Sequence, residues 1–126
     1  VCDLPVFCTL TMEADGSLFF GGNIFDAVEE LEAMGAFAVG CNCSTGPDQL
    51  ESVIAGIRNR VSIPVIAKPN AGMPSISPET GEAVYSMAPE DFSKSMLKLR
   101  AAGASILGGC CGTTPEYIRE LKKALI

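Results

Sequence analysis

Cysteine offers this chain its most specific chemistry. Cys43 lies in the string GCNCSTGP (residues 40–47), and the adjacent pair Cys110 and Cys111 lies in GGCCGTTP (residues 108–115). Thiolates bind zinc at about 2.3 Å, and a site with three protein ligands keeps a fourth position open, as catalytic rather than structural zinc sites do. Three thiolates on one divalent ion leave a net negative site. That blunts the ion as a Lewis acid toward water, yet it can still hold an added thiol as thiolate at neutral pH. A thiolate kept nucleophilic is what alkyl transfer to sulfur requires. Gly108, Gly109 and Gly112 remove side-chain bulk around two vicinal thiols that must turn toward one ion. Plainer uses exist. A lone Cys43 after a strand serves equally as a small buried apolar residue, and Cys110 with Cys111 as a packing or redox pair. The vicinal pair does not easily bridge to itself.

Other residues carry weaker signals. Cys41 sits two positions before Cys43, and we expect it to line a barrel interior, with metal ligation as its alternative. Cys2 and Cys8 read as terminal and core residues. Glu13 follows the first apolar run and is a candidate substrate contact, against the plainer reading of a solvated loop carboxylate. Asn70, and Asn42 with it, sits in a loop facing the same end. Asn70 is a second candidate substrate contact, although fixing nearby backbone is the commoner work of Asn.

The elements that would position these residues alternate regularly. Apolar, β-rich runs at residues 5–12, 36–41, 63–67 and 104–107 each precede a helix-like segment. Asn23 caps the first helix, Ile24, Ala27, Val28 and Leu31 form its apolar stripe, and Gly35 closes it. Pro47 opens a helix reaching Arg58, and Pro89 opens one that stops at Gly103. Thr114 and Pro115 begin a last helix, with Lys122 and Lys123 near its C-terminus. Residues 68–88 read as a long loop, either a lid or an excursion. Four successive strand–helix units imply a parallel sheet, with strands apolar enough to be buried on both faces. The expected fold is α/β: half of a (β/α)8 barrel, which needs roughly 250 residues to close.

This arrangement brings the cysteines to one end. Functional residues of β/α folds collect at the C-terminal ends of the strands. Cys43 follows the second run, and Cys110 and Cys111 follow the fourth. In a sequentially ordered sheet those strands lie about 10 Å apart, within reach of a shared ion.

Composition excludes several classes. The absence of His removes an imidazole base, a Ser-His-Asp triad and any His-ligated metal. A formal charge of −6 argues against nucleic acid or an anionic membrane surface as partner. No apolar run approaches the roughly 18 residues of a membrane span, and the opening VCDLPVF lacks a signal peptide's basic end. Six Cys without a secretory signal point to a reducing, cytoplasmic compartment. At 126 residues and 48% hydrophobic, the chain reads as one domain, and without an initiating Met it is expected to be part of something longer.

The strings GCNCSTGP (40–47), PVIAKPNAGMP (64–74) and GGCCGTTPEYI (108–118) resemble the homocysteine S-methyltransferase family, from Pro5 to the C-terminus. The AKPNAG loop, with Tyr85 beyond it, looks most like the methionine synthase branch. The resemblance implies that Cys43, Cys110 and Cys111 bind the catalytic zinc and so are the catalytic residues. It also implies that residues 1–126 correspond to strands five to eight of the family barrel. The chain is then a fragment lacking the N-terminal half that supplies most contacts to the homocysteine amine and carboxylate, or one half of a dimeric barrel. The implied function is zinc-dependent methylation of homocysteine to methionine, with methylcobalamin among several possible donors and a cobalamin- or folate-binding domain as partner. The alternatives are a non-catalytic zinc-binding half-barrel that self-associates, and a thiol-redox protein using Cys110 and Cys111.

Overall fold

The alternation of apolar runs and amphipathic segments appears in the computed structural model, which describes residues 3–126. In chain order its elements are β1 (Phe7–Leu10), α1 (Ile24–Ala33), β2 (Ala38–Cys43), a 3-10 turn (Pro47–Gln49), α2 (Glu51–Arg60) and β3 (Val65–Pro69). They continue with β4 (Pro74–Ile76), β5 (Ala83–Tyr85), α3 (Pro89–Ala101), β6 (Ile106–Leu107) and α4 (Pro115–Leu125). Strands β1, β2, β3 and β6 form one parallel sheet in that spatial order. The four βα units make half of a (β/α)8 barrel.

Local chemistry sets the element ends. Asn23 accepts the Asp26 amide at 2.9 Å and caps α1, a contact worth about 1 kcal/mol. Gly35, at φ +94°, follows the last turn of α1 in a conformation that costs any other residue strain. Thr114 precedes α4 but makes no side-chain cap bond; its neighbour Thr113 instead donates to the Cys110 carbonyl at 2.7 Å. Pro47 starts a 3-10 turn, and the α-helix begins only after Leu50.

The sheet has two different faces. Val39, Cys41, Val65 and Ala67 share one buried cluster with Val28, Ile54, Ile57, Phe92, Met96 and Leu99 from the helices. Phe92, Met96 and Leu99 are fully buried, each contributing about 1.5–3 kcal/mol of apolar burial. Strand alternation then sends Gly40, Asn42, Ile66 and Lys68 to the opposite, concave face. Cys41 is therefore corrected from the barrel lining to the sheet–helix layer, where it is 1% exposed. The cause is parity: Val39 faces the helices, so Cys41 must too.

Residues 68–88 also differ from the expected loop. Strands β4 and β5 pair antiparallel, Pro74 opposite Tyr85 and Ile76 opposite Ala83. Their turn closes through Ser77 accepting the Gly81 amide and donating to the Glu82 carbonyl, with Gly81 at φ +71°. Three-residue strands carry too little alternation to be read from sequence. At the N-terminal end of the β1–β2 pair, Phe7 and Phe37 stack with ring centres 5.7 Å apart, and each is about half exposed, 54% and 52%. Among the described residues, no helix is long and apolar enough to cross a membrane.

Candidate metal centre

Three loops meet at the C-terminal ends of β2, β3 and β6. Cys43 ends β2, in register with Pro69 of β3, and the Cys110 amide donates to the Pro69 carbonyl at 2.9 Å. The central strand thus sets both cysteine loops against one backbone carbonyl and its neighbour.

The turn after Cys43 is strained. Cys43 and Ser44 both take positive φ, 54° and 66°, a region that costs non-glycine residues on the order of 1–3 kcal/mol each. Ser44 Oγ accepts the Met12 amide at 3.0 Å and donates to the Asn42 carbonyl at 3.3 Å, while Thr45 accepts the Asn70 amide at 3.0 Å. These bonds hold the turn and swing Cys43 away from the layer that takes Cys41.

The second loop is held as closely. Asn70, 8% exposed, accepts the Cys111 amide on Oδ1 at 3.1 Å, and the Cys111 carbonyl accepts the Ala71 amide at 2.9 Å. Gly112 lies at φ +79° beneath the Tyr85 ring, so a Cβ there would collide with that ring. The hairpin that carries Tyr85 is itself anchored: Ser86 Oγ accepts the Met73 amide at 3.1 Å, and Tyr117 donates to the Met87 carbonyl at 2.6 Å.

These constraints converge the sulfurs. Cys43, Cys110 and Cys111 Sγ all lie within 4.8 Å of one another. Cys43 and Cys110 are joined as a disulfide across Cα atoms 5.4 Å apart, and Cys111 Sγ stands 3.8 Å from Cys43 Sγ and 4.0 Å from Cys110 Sγ. Two thiolates on a tetrahedral zinc, each at about 2.3 Å, sit about 3.8 Å apart. The Cys111 distances match that spacing. In the bonded form Cys43 and Cys110 are not thiolates; two-electron reduction returns them. Cys43 and Cys110 are half-buried, and Cys111 is exposed.

Electrostatics separate the remaining groups. Burial pushes the Cys41 thiol up to about 12, so it stays protonated and apart from this chemistry. Desolvation, then the Cys111 charge and a hydrogen bond with Cys111, push the Tyr85 hydroxyl above its ordinary value. Glu13 is exposed on the β1–α1 loop, where its backbone bonds to Gly16 and Ser17. The observed polar contact of the Asn70 side chain is with the Cys111 backbone. Cys8 is a half-buried free thiol packed against the core, and Cys2 lies outside the described residues. Ser44 and Tyr85 join the centre without having been singled out as site residues from sequence. Only the strand-end position of Ser44, beside Cys43, could have signalled it.

The homocysteine S-methyltransferase family model matches residues 1–125. The chain is 35% identical over 123 residues to methionine synthase of Mycobacterium leprae, covering 97% of this chain and 10% of that protein. It is 31% identical over 131 residues to homocysteine S-methyltransferase 3 of Arabidopsis thaliana, covering 98% of this chain and 36% of that protein. The chain thus spans about a tenth to a third of the curated relatives it matches. The solved homocysteine methyltransferase MmuM of Escherichia coli, metallated form, has the same fold, with a TM-score of 0.72 at 23% identity over 94% of this chain and 35% of that one. The family match over nearly every residue, with GCNCSTGP and GGCCGTTP brought together at one strand end, assigns this chain to the homocysteine S-methyltransferase family.

Proposed function

We propose that this chain is the metal-binding half of a methyltransferase barrel that takes the thiol of homocysteine and methylates it to methionine. The observation that carries the reading is the convergence of three sulfurs from two separated loops within 4.8 Å. Cys43, Cys110 and Cys111 would hold one zinc ion once Cys43 and Cys110 are reduced. Three soft sulfur donors suit zinc, as do the 3.8 and 4.0 Å separations around Cys111. A thiol coordinated to such an ion has its pKa lowered and persists as a nucleophilic thiolate at neutral pH.

The chain's own residues do the positioning. Ser44 holds the Cys43 turn, Asn70 holds Cys111, and the β4–β5 hairpin lays Tyr85 over Gly112. The rest of the barrel and the methyl donor lie, in this reading, on sequence outside residues 1–126. For a methionine-synthase-like protein methylcobalamin on another domain is one candidate donor among several, with a cobalamin- or folate-binding domain as partner, in the reducing cytoplasm. Closure by a second copy of this chain is the competing arrangement, favoured by the exposed Phe7–Phe37 stack at the N-terminal end of the β1–β2 pair. It requires a symmetric dimer with two metal ions.

Zinc-edge X-ray absorption on the reduced, zinc-loaded protein tests the reading. Adding homocysteine should raise the sulfur count around zinc from three to four. An unchanged first shell would leave a non-catalytic zinc-binding half-barrel and refute the proposal.

A further inference from the structure

The chain has two tyrosines, and their hydroxyls do different work. Tyr117 donates to the Met87 carbonyl at 2.6 Å and so anchors backbone. Tyr85, half-buried on β5, turns its hydroxyl to a sulfur: its hydrogen-bond partner is Cys111. Pairing of Tyr85 with Pro74, and the seat of its ring over Gly112, fix that direction. The seat uses carbon atoms only, since a Cβ at Gly112 would meet Tyr85 Cγ, Cδ2 and Cβ. A phenylalanine would fill it equally well, so packing alone does not call for the hydroxyl.

A centre that activates one thiol for methylation must not offer its own sulfurs instead. Cys111 Sγ lies 3.8 Å from Cys43 Sγ and 4.0 Å from Cys110 Sγ. A fourth sulfur on the same tetrahedral ion would lie about 3.8 Å from each of them. An electrophile that reaches that sulfur is therefore close to Cys111 as well, however the rest of the barrel covers the site. Methylation uses a sulfur lone pair: an S–C bond forms while the donor's bond to carbon breaks, and its electron pair leaves with the donor. On Cys111 the product would be a neutral thioether, without the charge that binds the metal.

We propose that Tyr85 is a specificity-determining residue that decides which sulfur is methylated: its hydroxyl donates to the Cys111 thiolate and blunts it as a nucleophile, leaving the substrate thiolate to react. The proposal rests on the thiol-activation reading above. A phenol is protonated at neutral pH and a thiolate can only accept, so the direction of the bond is set. Hydrogen bonds to a charged acceptor are roughly twice as strong as neutral ones. Attack by Cys111 would weaken this one as sulfur charge passes into the new S–C bond. That loss raises the barrier for Cys111 and for no other sulfur.

The test is methylation of the reduced, zinc-loaded protein by iodomethane, resolved by site through peptide mass spectrometry, with zinc counted beforehand. Tyr85→Phe keeps the ring over Gly112 and removes the donor. Cys111 should then be methylated about 10-fold faster, with Cys43 and Cys110 within about twofold and the zinc content unchanged. An unchanged Cys111 rate, or equal acceleration at all three cysteines, overturns the role of Tyr85 and leaves the metal site standing. Loss of zinc from Tyr85→Phe also overturns it, because the hydroxyl would then support the metal rather than shield a sulfur. Failure of the unsubstituted protein to bind zinc, or to speed methylation of added homocysteine, overturns the thiol reading and Tyr85 with it.

Discussion

Replacing Asn70 with Ala removes the side-chain acceptor of the Cys111 amide without touching a sulfur. Asn70 is 8% exposed and accepts that amide at 3.1 Å, across 41 residues of chain. Losing a neutral hydrogen bond costs about 0.5–1.5 kcal/mol, and stranding a buried donor about 1–3. Cys111 is itself exposed, so water can reach its amide, and we expect about 1–2 kcal/mol. At about 4 °C per kcal/mol for a chain of this size, the reduced protein should melt about 4–8 °C lower. The same bond aims Cys111 at its partners, and removal of such a supporting contact typically lowers metal affinity about 10- to 100-fold. Competition with a chromophoric chelator measures the affinity, and differential scanning calorimetry the melting. The reasoning fails if Asn70→Ala keeps both the wild-type zinc affinity and a melting point within about 2 °C. The bond would then be incidental to how Cys111 is held.

Further outcomes follow from the contrast between the buried Cys41 and the clustered Cys111, and from the Gly112 turn. Cys111→Ala should abolish stoichiometric zinc binding, whereas Cys41→Ser should keep it while costing about 1–3 kcal/mol for a buried hydroxyl, as metal analysis and denaturant unfolding will report. Because the folded protein holds the Cys41 proton up to about 12 while the unfolded chain releases it near pH 9, stability should fall between those values, and Cys41→Val should flatten that fall. Gly112→Ala should cost about 1–3 kcal/mol, since φ +79° and the Tyr85 ring both oppose a Cβ. Faster amide exchange in residues 74–85 would reveal displacement of the hairpin, and unchanged exchange would refute the contact.

Much of the scaffold was legible because it is local. The apolar runs marked β1, β2, β3 and β6, Asn23 marked the start of α1, and Gly35 its end. The strand-end placement of Cys43, Cys110 and Cys111 followed from the order of those runs, and the central position of β3 agrees with the sequential sheet that was expected. The hairpin in residues 68–88 was not legible, because three-residue strands are specified by pairing with each other rather than by periodicity. The direction of Cys41 was misread, because a strand's parity depends on which neighbour meets the helices.

The residue types, and the string spacing that puts thiols after two strands, were determined by the sequence alone, since ligand chemistry and strand–helix alternation are properties of short segments. Only the tertiary structure decided which atoms meet. Asn70 reaching Cys111, Tyr85 lying over Gly112, Cys43 bonding to Cys110 and Lys68 rising from the concave face all join positions far apart in the chain or turn on which face of the sheet is covered. Those pairings depend on how the sheet orders and packs its strands, and no local pattern encodes that.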